Sequence, residues 1–367
     1  MNKLKCNNRC ILQLFINLIM YECLFLAYQT LLKQSTNMKK IFLSSFFVLS
    51  VFFLQAQTVT IIAKSIKSSL RGLSVVDDKT VWASGSSGTV GLSTDSGHTW
   101  KWMKVAGFEK TDFRDIEAFD DKTAVIMGID TPGILLKTTD GGESWKTVFK
   151  DHTPGMFLDA MEFWNEQSGI VIGDPINGRM FIARTFDGAE SWQAIPESYR
   201  PAVDSGEACF ASSGTNVRKL NKQEAIFITG GRSSRVFIRN KKINIPIIQG
   251  KESTGANSIA VKNKKTFMVV GGDFNTKDST EKNCVITTDG GKTWFAPSIP
   301  PHGYRSCIEY LGKKTWISCG LNGVDYSTDE GNTFTQISKD GFHVCRKAKN
   351  GKAVYFAGGG RVGKLVF

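Results

Sequence analysis

Beyond residue 57 the apolar residues fall into short, regularly spaced runs, rich in β-branched and aromatic types, and each run closes on a glycine. Seven of them stand at residues 80–85, 124–128, 169–173, 225–230, 266–271, 315–320 and 353–358. Runs of five or six residues with little polar alternation predict strands buried on both faces. A further strand precedes each run across a short turn of Asp-Lys, Asn-Gly or Gly-Lys type, so the pattern predicts a series of hairpins. No segment after residue 57 carries a helical period, and the chain reads as all-β.

Between these hairpins one eight-residue phrase recurs, Ser/Thr-x-Asp-x-Gly-x-Ser/Thr-Trp. Its five copies occupy residues 93–100, 138–145, 185–192, 287–294 and 327–334, with Ala189 in place of the glycine in the third and Phe334 in place of the tryptophan in the fifth. An aspartate before a glycine-containing turn accepts backbone N–H groups two or three residues on, and the glycine supplies the positive φ of the turn. The closing aromatic is expected to pack into the seam with the next repeat unit. Asp95, Asp140, Asp187, Asp289 and Asp329 are therefore read as structural. Identical groups on successive units point outward around a ring and do not converge on one substrate.

The aspartates are separated by 45, 47, 102 and 40 residues. A period of this size suits a four-stranded propeller blade. The gap of 102 spans two periods, so one blade with a decayed phrase belongs between Asp187 and Asp289, and residues 235–242 fill that place.

The phrase resembles the Asp-box of bacterial neuraminidase repeats, a β-hairpin signature of propeller blades in sialidases, sortilin-type receptors, some endoglucanases and photosystem II assembly factors. The resemblance implies a fold and no particular reaction. With the seven glycine-ended strands it predicts a seven-bladed β-propeller over residues 57–367. The seventh unit has no room for an outer strand of its own. The segment from Thr58 to Ala63 is expected to supply it and close the ring, removing exposed sheet edges.

Residues 38–56 carry two lysines, an apolar run from Ile41 to Leu54 and a small residue before a cut expected after Ala56, the pattern of a secretory signal peptide. Residues 1–37 are read as a leader or a mis-assigned start, with translation beginning at Met38. A rival reading is a membrane segment from Ile11 to Leu32, interrupted by Glu22. The expected mature protein is periplasmic or secreted, monomeric and without a stable membrane span. Six of the 46 basic and one of the 34 acidic residues precede residue 57, so the formal charge falls from +12 to +7. Lys241-Lys242 and Lys262, Lys264 and Lys265 fall at expected turns and read as solvated loops, so no nucleic-acid partner is expected.

Cys209, Cys284, Cys307, Cys319 and Cys345 form no C-x-x-C pair, and the chain has four histidines, so neither a metal site nor a cofactor is expected. Cys307 and Cys319 flank the Gly312-Lys313 turn and fit opposite positions of one hairpin, as a disulfide or as free thiols. Gly358-Gly-Gly-Arg-Val-Gly363 matches the dinucleotide pattern Gly-x-Gly-x-x-Gly, but four residues remain after it and the required helix cannot follow.

Other phrases resemble a narrower group, secreted seven-bladed propellers of Bacteroidetes-type bacteria related to the photosystem II assembly factors. They are Gly173-Asp-Pro175, Gly206-Glu-Ala-Cys-Phe-Ala-Ser-Ser-Gly-Thr215, Gly271-Gly-Asp273 and Gly303-Tyr-Arg-Ser306. Blade counting puts them on innermost strands and on loops that converge at one mouth of the central channel. Asp159, Asp174, Glu207, Asp273, Tyr304 and Arg305 are the candidate ligand residues there, with Asp115, Arg232 and Arg361 beside them. The expected ligand is a protein or glycan, bound without catalysis, and the resemblance implies an assembly role. The alternative is a sialidase-like glycoside hydrolase recruiting Arg71, Arg114, Arg305, Tyr304, Glu207 and Asp115. The Arg-Ile-Pro phrase that opens such enzymes is absent, and Leu70-Arg-Gly-Leu73 is its nearest substitute.

Overall fold

The computed structural model describes residues 19–26 and 57–366. Residues 19–26 are helical and are not part of the compact unit that begins at Ala56. No helix among the described residues is long and apolar enough to cross a membrane. The signal-like segment and its cut site lie outside the described residues, as does most of the rival membrane segment.

From residue 58 onward the chain forms seven antiparallel sheets, the blades of a β-propeller. Blade one comprises Leu70–Val75, Val81–Gly85, Thr89–Ser93 and Lys101–Lys104. The innermost strands of the other six are Phe113–Ala118, Leu158–Phe163, Val217–Lys219, Thr254–Val261, Cys307–Gly312 and Val344–Lys347. Each glycine-ended apolar run is the second strand of its blade. These strands are buried on both faces because neighbouring blades cover them, which is why they show no polar alternation. Blade four keeps its place without the eight-residue phrase, through the hairpin of Arg235–Ile238 and Lys241–Asn244.

Thr58–Ala63 pairs antiparallel with Arg361–Val366 as the outer strand of blade seven. A second clasp lies nearer the axis. Asp78 Oδ1 accepts the N–H groups of Lys352 and Ala353, and Lys349 and Asn350 donate to the carbonyls of Val75 and Val76. The start and end of the ring are thus joined twice.

In the eight-residue turns, each aspartate reaches farther than expected. Asp140 Oδ1 accepts the N–H of Ser144, four residues on, and its Oδ2 accepts the Ser144 hydroxyl at 2.5 Å. Thr138 donates its hydroxyl to Asp140 and accepts the buried N–H of Gly142 at 3.0 Å. The first and seventh residues of the phrase therefore share the work of the aspartate. The closing aromatic packs toward the preceding blade and not the next. Trp145 of blade two joins Trp82, Val90 and Met103 of blade one, and Phe334 of blade six joins Met268 and Val270 of blade five. The reason is local: a Cβ on Gly142 would press on Met103, and one on Gly331 on Met268, so this turn lies over the face its sheet presents to the blade before it.

Hydrogen bonds from Ser144, first its hydroxyl and then its N–H, hold Asp140 at about 2, and Thr99 and Ser191 do the same for Asp95 and Asp187. A carboxyl depressed from its ordinary value near 4 favours the folded state above that pH and loses the contribution as pH falls through about 2. In thermal melts between pH 4 and pH 2, wild type is expected to lose stability more steeply than Asp140→Ala. Equal slopes would remove the turn from the acid response.

Candidate functional site

The segment Gly206-Glu-Ala-Cys-Phe-Ala-Ser-Ser-Gly-Thr215 is not an innermost strand of blade four, as blade counting suggested. Glu207–Ala208 pairs with Gly230–Gly231 on the inner edge of the blade-five sheet, and the residues after it cross the channel. Ser213 donates to the carbonyl of Ser306 in blade six, and Thr215 to the Ser258 hydroxyl in blade five. Arg346 of blade seven donates to the carbonyls of Ser213 and Gly214. Gly214 has φ +63° and lies so close to blade two that a Cβ would sit 2.2 Å from the Asp115 carboxyl, so only glycine fits. The channel is plugged at mid-height.

The plug leaves a blind cavity of about 490 Å³ at the mouth where the second strands end. Arg71, Arg114, Asp174, Tyr304 and His343 line it, with Phe157, Phe210, Phe274 and Leu321 supplying apolar wall. Phe274 and Leu321 are exposed. Arg114 is tethered to Asp112, Nε to Oδ2 at 2.8 Å. No hydrogen bond or ion pair among the described residues reaches the Arg71 guanidinium. Burial first, and then the like charge of Arg114, lowers its affinity for a proton, so an arriving anion would relieve both. Burial and the same two arginines depress His343 to about 3, which keeps its ring neutral.

Asp159 and Asp174 meet at one side of this cavity. No N–H or O–H donor of another described residue reaches either oxygen of the buried Asp159. Burial and the neighbouring Asp174 push Asp159 well above the carboxylate range despite Arg114. Asp174 accepts the Cys209 N–H at 2.9 Å and is itself raised to about 6, chiefly by burial.

The structure thus brings Asp159, Asp174 and Tyr304 of the sequence candidates together and places Glu207, Asp273 and Arg305 elsewhere. Glu207 is buried under the rim, bonded to the Thr229 hydroxyl and paired with Arg235. Asp273 caps a local turn by accepting the Asn275 N–H. Arg305 is wholly buried just before the innermost strand of blade six, where it pairs with Asp325 and donates to the carbonyls of Tyr304 and His302. Arg71 and Arg114 were named in sequence only for the sialidase alternative, and His343 was not named at all. The signal available was their common position at the first turn of successive innermost strands.

The sialidase constellation does not assemble. Tyr304 donates to Asn257 Oδ1 at 2.8 Å and is raised by burial to about 12, while Glu207 faces Arg235 and Arg305 faces Asp325. No carboxylate among the described residues accepts the phenol proton.

No protein-family model matches the chain, and no curated protein does. Solved structures do. YCF48 bound to D1 peptide aligns with a TM-score of 0.61 at 16% identity, over 85% of this chain and 97% of that one. YCF48 from Cyanidioschyzon merolae gives 0.61 at 15% identity, over 84% and 98%. The WD40 propeller domain of Doa1 gives 0.58 at 15% identity, over 84% and 96%. The chain has a β-propeller fold like theirs.

Proposed function

We propose that this chain is an exported, monomeric, non-enzymatic propeller that binds a protein partner by seating a carboxylate of an extended peptide in the plugged mouth. The observation that carries the reading is Arg71, a cavity-lining guanidinium that no hydrogen bond or ion pair among the described residues holds, set among exposed aromatic and aliphatic side chains. The likeness to a propeller solved with a bound peptide supports a protein ligand over a glycan. The signal-like residues 38–56 support export, and the Asp-box resemblance agrees with a scaffold whose repeated aspartates are structural.

A photo-crosslinking residue at Phe274, on the exposed rim, tests this in the source cell. One predominant protein adduct is expected, and Arg71→Met should abolish it. Adducts unaffected by Arg71→Met, or a glycan in their place, would overturn the reading, as would hydrolysis of sialosides by the purified chain.

Asp174 adds a pH dependence. Its carboxyl is protonated below about 6 and charged above, and the negative charge then repels a carboxylate ligand beside Arg114. Affinity for the captured partner is expected to weaken as pH rises from 5 to 7, and Asp174→Asn should flatten that dependence. A wild-type affinity constant across this range would exclude Asp174 from the site.

A further inference from the structure

Three cysteines far apart in sequence meet at the seam of blades six and seven. Cys307 lies on the innermost strand of blade six, Cys319 faces it across the hairpin, and Cys345 comes from the innermost strand of blade seven. All three are fully buried, their sulfurs lie within 4.8 Å of one another, and Cys345 Sγ is 3.6 Å from Cys307 Sγ. A trigonal ion with metal–sulfur bonds of about 2.3 Å holds its sulfurs about 4 Å apart, so the triangle is near the required size before any ion arrives.

The surroundings select the ion. No fourth cysteine, histidine or carboxylate among the described residues joins the group, and apolar side chains such as Val324, Phe342 and Phe356 pack around it. Zinc takes four ligands, whereas a soft monovalent ion is content with thiolates alone. Arg346 donates toward Cys307 Sγ at 3.9 Å and also lines the cavity of about 330 Å³ at the opposite end of the channel. One side chain therefore separates the sulfurs from an entry route. It also supplies a positive charge beside the sulfurs, where thiolates need one.

We propose that Cys307, Cys319 and Cys345 form a three-sulfur site for a thiophilic monovalent ion, Cu(I) in the first instance. Two of the three thiols release their protons to solvent when the ion binds. Two thiolates, one thiol and a monovalent ion carry a single negative charge, which Arg346 offsets. Copper changes no oxidation state.

The test is a titration of the reduced, oxygen-free full chain with Cu(I) against a chromophoric chelator. Wild type, Cys209→Ser and Cys284→Ser are expected to hold one equivalent more than Cys307→Ser, Cys319→Ser and Cys345→Ser. Arg346→Gln should keep that equivalent at about tenfold lower affinity. Equal stoichiometry in wild type and the three variants would overturn the site. Because a buried variant can misfold, the copper absorption edge of singly loaded Cys209→Ser/Cys284→Ser is measured as well. Three sulfur neighbours are expected there, and fewer than three would overturn the proposal.

Discussion

Deleting residues 57–63 should lower the melting temperature by about 10 °C or more and make the protein self-associate. The strand Thr58–Ala63 half-buries Val59, Ile61, Ile62 and Ala63 against the blade-seven core and pairs along the length of Arg361–Val366. Half-burial of four apolar side chains corresponds to about 3–5 kcal/mol, and a domain of this size loses about 2–4 °C for each kcal/mol. Removing the strand also bares the N–H and C=O groups of Arg361–Val366, a template for pairing with another copy. The Asp78 clasp to Lys352 and Ala353 remains, so a folded ring with a loosened seventh blade is expected rather than a disordered chain. Scanning calorimetry with light scattering checks both effects. An unchanged melting temperature in a monomeric protein would show that the outer strand does not close the ring.

Arg305→Met should cost about 3–5 kcal/mol, because it leaves Asp325 buried without its guanidinium. Arg305 donates four hydrogen bonds, to Asp325 Oδ2, Asn322 Oδ1 and the carbonyls of Tyr304 and His302, and its side chain does not line the cavity. The His302 ring, 2.7 Å from Asp325 Oδ1, cannot replace a guanidinium that reaches Oδ2 through both Nε and Nη2. Replacing both members, Arg305→Met with Asp325→Leu, should recover much of the loss, since a buried ion pair seldom outperforms well-packed apolar groups. Urea unfolding of the single and double variants distinguishes this from simple misfit. A stable single variant that fails to bind the partner would instead return Arg305 to the ligand site. Arg71→Met is the contrast: a guanidinium without an internal partner can be removed at little cost to the fold.

The architecture was legible because its causes are local and repeated. A strand such as Val81–Gly85, buried on both faces, shows no polar alternation, and turn aspartates such as Asp289 must recur wherever the hairpin recurs. Strand closure was legible as well, since the seventh unit lacked a partner that Thr58–Ala63 could supply. What failed was whatever depends on how blades face one another. The repeat carries no sign of which neighbour Trp145 meets, so its seam was assigned to the wrong side. The Glu207 phrase was recognised as distinctive, yet nothing in its composition distinguishes an innermost strand from a segment crossing the channel to Ser306 and Arg346. Charge misled in the same way: Glu207, Asp273 and Arg305 mark the mouth in sequence, but Glu207 is taken up by Arg235, Arg305 by Asp325 and Asp273 by its own turn. Cys307 and Cys319 were legible as partners across one hairpin, but Cys345 joins them from the next blade, and no short motif marks that meeting.

The central claim is that the plugged mouth binds a protein through the Arg71 guanidinium, and titration of the crosslinked partner's peptide against folded wild type and Arg71→Met tests it most directly. With equal melting temperatures in the two proteins, the account predicts affinity at least about 30-fold weaker in Arg71→Met, the effect of losing one member of a desolvated charge pair. Equal affinity in the two proteins would contradict it.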